Sequence, residues 1–269
     1  MATYYINADT GNDATGDGSA LNPWLTILHA YNQAATGDDI YAQNAINSYT
    51  WSAIVFGKNI RFIGESAESV VFDAAGQSLI QKGIFTYQTQ GTYLLKNITF
   101  TGFTTSTNQE GGIHIYNTTT LNIENCIFTG NNINAGPAGI IHFRNSSENS
   151  IINITSCLFY DNNGNGSRSI IGNAEATAPT VNFISSTIYL GGPAGEEMRY
   201  LGTGYGGTYI NIVFKNSILS NEQAINFNIL QSAGTHTETY SCFYNIEDTV
   251  SGTGVITSDP LFIDAATNN

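Results

Sequence analysis

Two short segments of the chain place aromatic and basic side chains at matching positions. GGIHIYN contains His114 and Tyr116, and GIIHFRN contains His142 and Arg144. Both segments alternate apolar and polar residues, which is typical of a β-strand with one face in the core and the other face outward. If these strands are neighbours in register, His114 lies beside His142 and Tyr116 lies beside Arg144, about 4.8 Å apart.

These side-chain types are suited to holding a carbohydrate. Tyrosine and histidine rings can stack on a sugar, and an arginine guanidinium can bind a carboxylate with two hydrogen bonds. Arg168 and Arg199 fall near the matching strand one and two repeats later. The sequence therefore predicts a ligand-binding outward stripe made of His114, Tyr116, His142, Arg144, Arg168 and Arg199. The alternative is a solvated polar face that binds nothing.

Cleavage of a polysaccharide would require further groups. Glycoside hydrolysis uses two carboxyl groups, either about 5 Å or about 6.5–9.5 Å apart. The candidates in or near the flanking turns are Glu110, Asp161, Glu196 and Glu197. A lyase would use a basic or phenolic side chain beside a uronate carboxylate, and His114, Tyr116 and Arg144 are of the required types. Since neither set lies in a diagnostic motif, binding is favoured over catalysis.

The N-terminal loop contains Asp9, Asp13 and Asp17, a spacing at which acidic side chains can bind Ca²⁺. The same residue types also form tight turns without any metal, and the terminal glutamate of an EF-hand loop is missing. We therefore expect no cofactor, with Ca²⁺ at these three aspartates as the alternative.

The composition limits the partners of the chain. It has 8 lysines and arginines against 21 acidic residues, which gives a net charge of −13. Nucleic acid and anionic membranes would repel this charge, so neither is expected as a partner. The chain also has few cationic side chains to bind a polyanionic sugar, whereas neutral glycans remain suitable ligands. The N-terminus shows no signal-peptide pattern. We expect an extracellular or virion location, reached either with a signal that has already been removed or by another route.

Six similar segments indicate a repeat of the length of one solenoid coil. Their anchor residues are Ile98, Cys126, Cys157, Thr187, Ser217 and Cys242, which are 28, 31, 30, 30 and 25 residues apart. This spacing is too short for two parallel strands with a helical crossover, but it fits three short strands and three turns. An odd number of cysteines argues against a disulfide framework, and Cys126 and Cys157 are expected to stack in the core.

The N-terminal part differs from the repeats. Residues 23–34 predict one short helix with Asn22 as the N-cap and Pro23 at its first position. Its apolar side would cover the open end of the solenoid and protect strand edges. We therefore divide the chain into residues 1–45, with a strand, a loop and a capping helix, and residues 46–269, with the coils of one continuous domain.

Two longer stretches resemble a known superfamily. The opening YYINADTGNDATGDGSALNPWLTILHAYNQAATGDDIYA and the ending GTGVITSDPLFIDAA are similar to the two ends of many pectate-lyase-like parallel β-helix proteins. The resemblance implies an all-β, right-handed parallel β-helix of about seven or more coils with a short N-terminal helix. It does not imply one activity, because the superfamily holds lyases, hydrolases, epimerases, phage tailspikes and adhesins.

Three functions are compatible with these patterns. The favoured one is a non-enzymatic structural or receptor-binding protein of a phage virion or cell surface that contacts glycans, as a homotrimer like tail fibres and tailspikes. The second is a polysaccharide lyase or glycoside hydrolase that acts along the outward strand face. The third is a secreted bacterial adhesin module.

Overall fold

A computed structural model gives the arrangement of the chain. It describes residues 1–51, 53–75, 83–87, 89–104, 111–117, 119–133, 139–146, 149–164, 169–173, 179–190, 200–204, 210–221, 228–230, 235–244 and 250–258. Three parallel sheets dominate these residues, and each successive coil adds one short strand to each sheet in turn. The predicted right-handed parallel β-helix is confirmed.

Sheet A has nine strands and begins at the N-terminus. Its strands are β1 (Thr3–Ile6), β2 (Asp39–Ala42), β5 (Arg61–Gly64), β8 (Gly91–Lys96), β11 (Thr119–Glu124), β15 (Ile151–Thr155), β19 (Thr180–Ile184), β22 (Asn211–Lys215) and β25 (Thr235–Thr239). Inward positions alternate with outward ones, so Ile152 and Ile154 are buried while Ile151 is 40% exposed.

Sheet B has eight strands, and each of them comes next along the chain after a strand of sheet A. They are β3 (Tyr49–Thr50), β6 (Val71–Asp73), β9 (Thr99–Thr101), β12 (Ile127–Thr129), β16 (Leu158–Tyr160), β20 (Thr187–Leu190), β23 (Ile218–Asn221) and β26 (Cys242–Tyr244). Its inward column stacks aromatic rings from coil to coil. The Phe128 and Phe159 rings are stacked, with centroids 4.6 Å apart and ring planes within 6° of parallel.

Sheet C has seven strands and closes each coil. They are β4 (Ile54–Phe56), β7 (Gly83–Tyr87), β10 (Gly111–Asn117), β14 (Gly139–Ser146), β18 (Ser169–Asn173), β21 (Tyr200–Gly204) and β24 (Asn228–Leu230). Two further short strands, β13 (Asn132–Ile133) and β17 (Asn163–Gly164), pair between sheets B and C.

A sharp corner joins sheet A to sheet B in successive coils. One residue at this corner has a left-handed backbone, with φ between 49° and 56°. These corner residues are Asn97, Asn125, Ser156, Ser185, Asn216 and Tyr240. Asparagine tolerates this conformation better than most side chains, which explains its recurrence at the corner.

From Asn125 onward, the residue after each corner forms a buried polar ladder. The Cys126 N–H donates to Cys157 Sγ at 3.4 Å, and the Cys157 N–H donates to Ser186 Oγ at 3.1 Å. Ser217 and Ser241 continue the ladder in the same way. The predicted stack of Cys126 on Cys157 is therefore confirmed.

Two of the predicted repeat anchors were wrong by one residue. Thr187 and Cys242 begin strands β20 and β26, whereas Ser186 and Ser241 occupy the position equivalent to Cys157. The position requires a small side chain that accepts an N–H from the preceding coil. Ser186 and Thr187 are both small, and so are Ser241 and Cys242, so the sequence does not show which residue of each pair fills the position. The hydrogen bonds between coils identify Ser186 and Ser241.

The helix α1 spans Ile27–Gln33, which is shorter than predicted, and its N-cap is Thr26 rather than Asn22. Trp24 lies outside the helix, and its backbone N–H donates to Tyr5 O of β1 at 3.0 Å. The helix buries Ile27, Ala30 and Tyr31 on one side, and the Tyr31 ring packs against Phe56 of β4 at 5.2 Å between ring centroids. It has only seven residues, and no described helix is long and apolar enough to cross a membrane.

Candidate functional site

The two predicted histidines are neighbours on the outer side of sheet C. His114 pairs in register with His142, and their ring centroids are 5.4 Å apart. Ile113 and Ile115 on either side of His114 point into the core. The sequence therefore predicted the register and the direction of both histidines correctly.

The expected exposure of the two histidines was wrong. The side chains of His114 and His142 are both 0% exposed, and the same column contains Thr86, which is also fully buried. Alternation along a strand shows which side chains leave the core, but it does not show what packs over them. A polymer on the surface of this structure does not reach either imidazole ring.

Tyr116 and Arg144 lie at the border of this buried column and are partly exposed. The Tyr116 ring centroid is 6.0 Å from that of His114. The pairing of β10 with β14 shifts between Ile115 and Asn117, so the expected match of Tyr116 with Arg144 is not part of the register. Arg168 and Arg199, the other members of the predicted stripe, lie outside the described residues.

The carboxylate candidates are only partly described. Glu110, Glu196 and Glu197 lie outside the described residues, and their predicted role stays a prediction. Asp161 is exposed directly after β16, with a left-handed backbone and a carbonyl that accepts the Gly130 N–H at 3.1 Å. It therefore lies at the outer edge of sheet B rather than beside the histidines of sheet C.

The three N-terminal aspartates serve separate turns. Asp9 accepts hydrogen bonds from the N–H groups of Ile46 and Asn47, which lower the pKa of its carboxyl group. Asp13 accepts from the backbone of Thr26 at 3.0 Å and from its hydroxyl at 2.6 Å. Asp17 accepts from the backbone of the nearby turn at 2.8 Å. Among the described residues, no group of three or more histidine, cysteine or acidic side chains is arranged to hold a metal ion.

The sequence did not predict the open groove that follows the corner between sheets A and B. The groove has a volume of about 420 Å³. We call it the corner groove, and it is lined by Glu65, Ser66, Ala67, Glu68, Asn97, Asn125, Cys126, Ile127, Ser156 and Leu158. Corner residues of three successive coils thus lie along one wall, and Ile127 and Leu158 of sheet B form an apolar floor.

The corner groove is polar and acidic in character. Glu65 and Glu68 are both exposed, and Glu65 is held in place because its Oε2 accepts the Asn44 N–H at 2.9 Å. All of its lining residues are described, and none of them is a lysine or arginine. Such a lining suits a ligand with many hydroxyl groups and disfavours an anionic one.

The outer face of sheet B continues from this groove. Phe159 points into the core, so Leu158 and Tyr160 on either side of it point outward and are partly exposed. A signal for this face was present in the repeats, because LFY, TIY and CFY each place a tyrosine directly after the inward residue.

Three solved structures share this architecture. A rhamnogalacturonan lyase covers 91% of this chain and 68% of its own, with 13% identity and a TM-score of 0.52. Pectin methylesterase PemA from Erwinia chrysanthemi covers 93% and 80%, with 11% identity and a TM-score of 0.56. A pectin methylesterase in complex with a hexasaccharide covers 93% and 80%, with 11% identity and a TM-score of 0.51. This chain has the parallel β-helix fold of these three structures.

The similarity of this β-helix to known proteins extends to the fold alone. No protein-family model and no curated protein matches its sequence. At identities of 11–13% the three structures do not transfer a reaction or a site to it. Its function must be argued from its own surface.

Proposed function

We propose that this β-helix binds neutral glycans at the corner groove without cleaving them. The observation that carries the proposal is the lining of the groove. Asn97, Asn125 and Ser156 supply amide and hydroxyl groups, while Ile127 and Leu158 supply an apolar floor. A sugar ring has hydroxyl groups at its edge and C–H groups on its faces, so it matches such a mixed surface.

Charge supports a neutral ligand rather than a uronate. Glu65 and Glu68 lie on the rim, no cation is among the described residues that line the groove, and the whole chain has a net charge of −13. A uronate polymer would meet repulsion here. The two glutamates can instead accept hydrogen bonds from sugar hydroxyl groups, and such charge-assisted bonds are stronger than neutral ones.

Binding without turnover is favoured because the groove lacks the groups that each reaction would need. A lyase requires a base and a means of neutralising the uronate carboxylate, and the described lining of the groove has neither a histidine nor an arginine. A hydrolase requires two carboxyl groups on opposite sides of the scissile bond. Glu65 and Glu68 belong to one turn on one side of the groove.

The setting of this binding is part of the proposal. We place the protein on a phage virion or a cell surface, outside the cytoplasm and as a homotrimer, with a secreted adhesin module as the alternative. The solenoid fold and the low share of charged residues, 11% of the chain, support this setting. A monomeric mass in light scattering at micromolar concentration would count against the trimer.

A glycan array with neutral and uronate-containing polymers tests the proposal. We expect binding to neutral glycans only. Ile127→Asn in the floor of the groove should lower the affinity about tenfold, because roughly 1.5 kcal/mol of apolar contact is lost. Ile151→Asn is the matched control, since Ile151 also faces outward but on sheet A, and it should bind normally.

Two results would overturn the proposal. The first is the absence of binding to any neutral glycan on the array. The second is the release of reducing sugar or of an unsaturated uronate from any polymer in the same panel, because this would establish an enzyme.

A further inference from the structure

The outer face of sheet B contains a second feature beside the corner groove. On this face, one outward residue of each strand forms a column that runs parallel to the solenoid axis. In order, the members of this column from β9 to β26 are Thr101, Thr129, Tyr160, Tyr189, Ser220 and Tyr244. We call it the tyrosine column.

The register establishes that this column is continuous. Thr129 pairs with Tyr160, Tyr189 pairs with Ser220, and Ser220 pairs with Tyr244. Leu158 and Phe159 pair with the first two residues of β20, which brings Tyr189 next to Tyr160. Six neighbouring strands at about 4.8 Å give the column a length of about 24 Å.

The column passes beside the corner groove at Tyr160. Leu158 lines the groove, and Tyr160 is two residues further along the same strand on the same face. The two side chains are therefore about 6.6 Å apart along the strand. A chain that lies on the groove floor can continue over Tyr160 and then follow the column through Tyr189.

The chemistry of the column suits a linear neutral polymer. None of the six members from β9 to β26 carries a formal charge, although Asp73 of β6 continues the column beyond Thr101. Tyr160, Tyr189 and Tyr244 are each partly exposed, whereas Ser220 between the last two is buried, so the accessible part that the ligand follows ends at Tyr189. A tyrosine ring offers apolar contact area with few rotatable bonds, and its hydroxyl group offers a hydrogen bond. A chain of sugars presents matching groups along its length, because C–H faces that can contact a ring alternate with hydroxyl groups that can form hydrogen bonds.

The outer face of sheet A lacks these properties over the matching coils. Its central column is an amide ladder in which Asn153 Nδ2 donates to Asn122 Oδ1 at 2.9 Å and Asn182 Nδ2 donates to Asn153 Oδ1 at 2.8 Å. The amides thus already use part of their hydrogen-bonding capacity on one another. The described outward residues of β11, β15 and β19 also include no aromatic side chain.

We infer that the ligand is an extended, linear neutral glycan that starts in the corner groove and follows the tyrosine column along the solenoid axis. This inference rests on the proposed glycan binding and adds the length and the path of the ligand. It predicts that short oligosaccharides occupy the groove alone. Longer chains bind more tightly because each added contact is intramolecular.

Calorimetric titration with cello-, manno- and maltooligosaccharides, each from the dimer to the octamer, tests the inference. Affinity in the series that binds should rise at least tenfold from the shortest ligand that binds to the octamer. The double variant Tyr160→Ala with Tyr189→Ala should remove this gain and leave the affinity for the shortest ligand unchanged.

Two controls separate stacking from folding. Tyr160→Phe should keep the octamer affinity within about twofold if the ring rather than the hydroxyl group makes the contact. Tyr41→Ala removes a partly exposed outward tyrosine of sheet A and should leave the length dependence unchanged. The thermal midpoint of each variant shows whether the coils remain folded.

The possible failures are distinguishable. If no series and no neutral glycan on the array binds, the proposed function is wrong and the inference falls with it. If a series binds with equal affinity at every length, or if the double tyrosine variant retains the full gain, only the inference is wrong.

Discussion

The outer faces of sheets B and C follow the same alternation of inward and outward residues but differ in access to solvent. On sheet C the outward residues His114 and His142 are fully buried. On sheet B the outward residues Ile127, Leu158 and Tyr160 are partly exposed, and the first two form the floor of a groove. The difference shows that an outward position in a solenoid is not by itself a surface position, so the residues richest in chemistry need not meet the ligand.

The largest expected effect comes from placing a charged side chain on the outer face of each sheet. His142→Glu should lower the free energy of unfolding by about 3 kcal/mol or more, because an ionised carboxylate would be buried. Tyr160→Glu at the partly exposed position should cost about 1 kcal/mol or less. Chemical denaturation of both variants measures the difference, and equal losses would show that the two faces do not differ in burial.

The buried ladder of cysteines and serines after the corner between sheets A and B gives the next largest expected effect. Ser217 Oγ accepts the Ser186 N–H at 3.2 Å and donates to Phe183 O at 3.0 Å. Ser217→Ala leaves buried groups without partners and should cost about 1–3 kcal/mol. Cys157→Ser is the matched control and should cost less than about 1 kcal/mol, since serine already fills this position in later coils. Denaturant midpoints that rank the two variants in the opposite order would contradict the ladder.

Thiol reactivity tests whether Cys126 is accessible from the corner groove. Cys126 lines the groove but is only 1% exposed, and burial raises the pKa of its thiol. Cys242 is partly exposed on the outer face of sheet B. A thiol reagent at neutral pH should therefore label Cys242 first in the native protein. Peptide mapping that finds Cys126 modified first would mean that the groove is deeper and more open than the structure shows.

The smallest expected effect lies away from both faces, in the N-terminal loop. Backbone hydrogen bonds lower the pKa of Asp9 from 3.8. A lowered pKa in the folded state stabilises the protein above the unfolded value, and this stabilisation is lost as the pH falls through the folded value. Thermal midpoints should therefore drop less in acid below pH 3.8 for Asp9→Asn than for the wild type. Parallel acid profiles would show that these bonds do not favour the ionised carboxyl group.

Local patterns were sufficient to predict most of the fold. The segment GGIHIYN corresponds to strand β10 to the residue, and GIIHFRN corresponds to β14 within one residue, because alternation and turn residues are properties of neighbouring amino acids. The helix start was missed because Trp24 bridges to Ile6, a contact that local sequence does not encode. The ladder register was missed for a similar reason, since it depends on bonds between coils.

The candidate site was harder to predict from the sequence than the fold. Burial of His114 and His142 depends on what packs over sheet C, and strand periodicity contains no information on this. The corner groove combines Glu65 with residues that follow it by up to three coils, such as Ser156. Only the stacking of coils brings these residues together, so no single segment carries a motif for the groove.

A crystal structure with a bound neutral octasaccharide would show the path of the ligand. Sugar rings should lie against Ile127, Leu158 and Tyr160, with the glycan chain parallel to the solenoid axis. Sugar bound instead beside Tyr116 and Arg144 on sheet C would contradict this prediction.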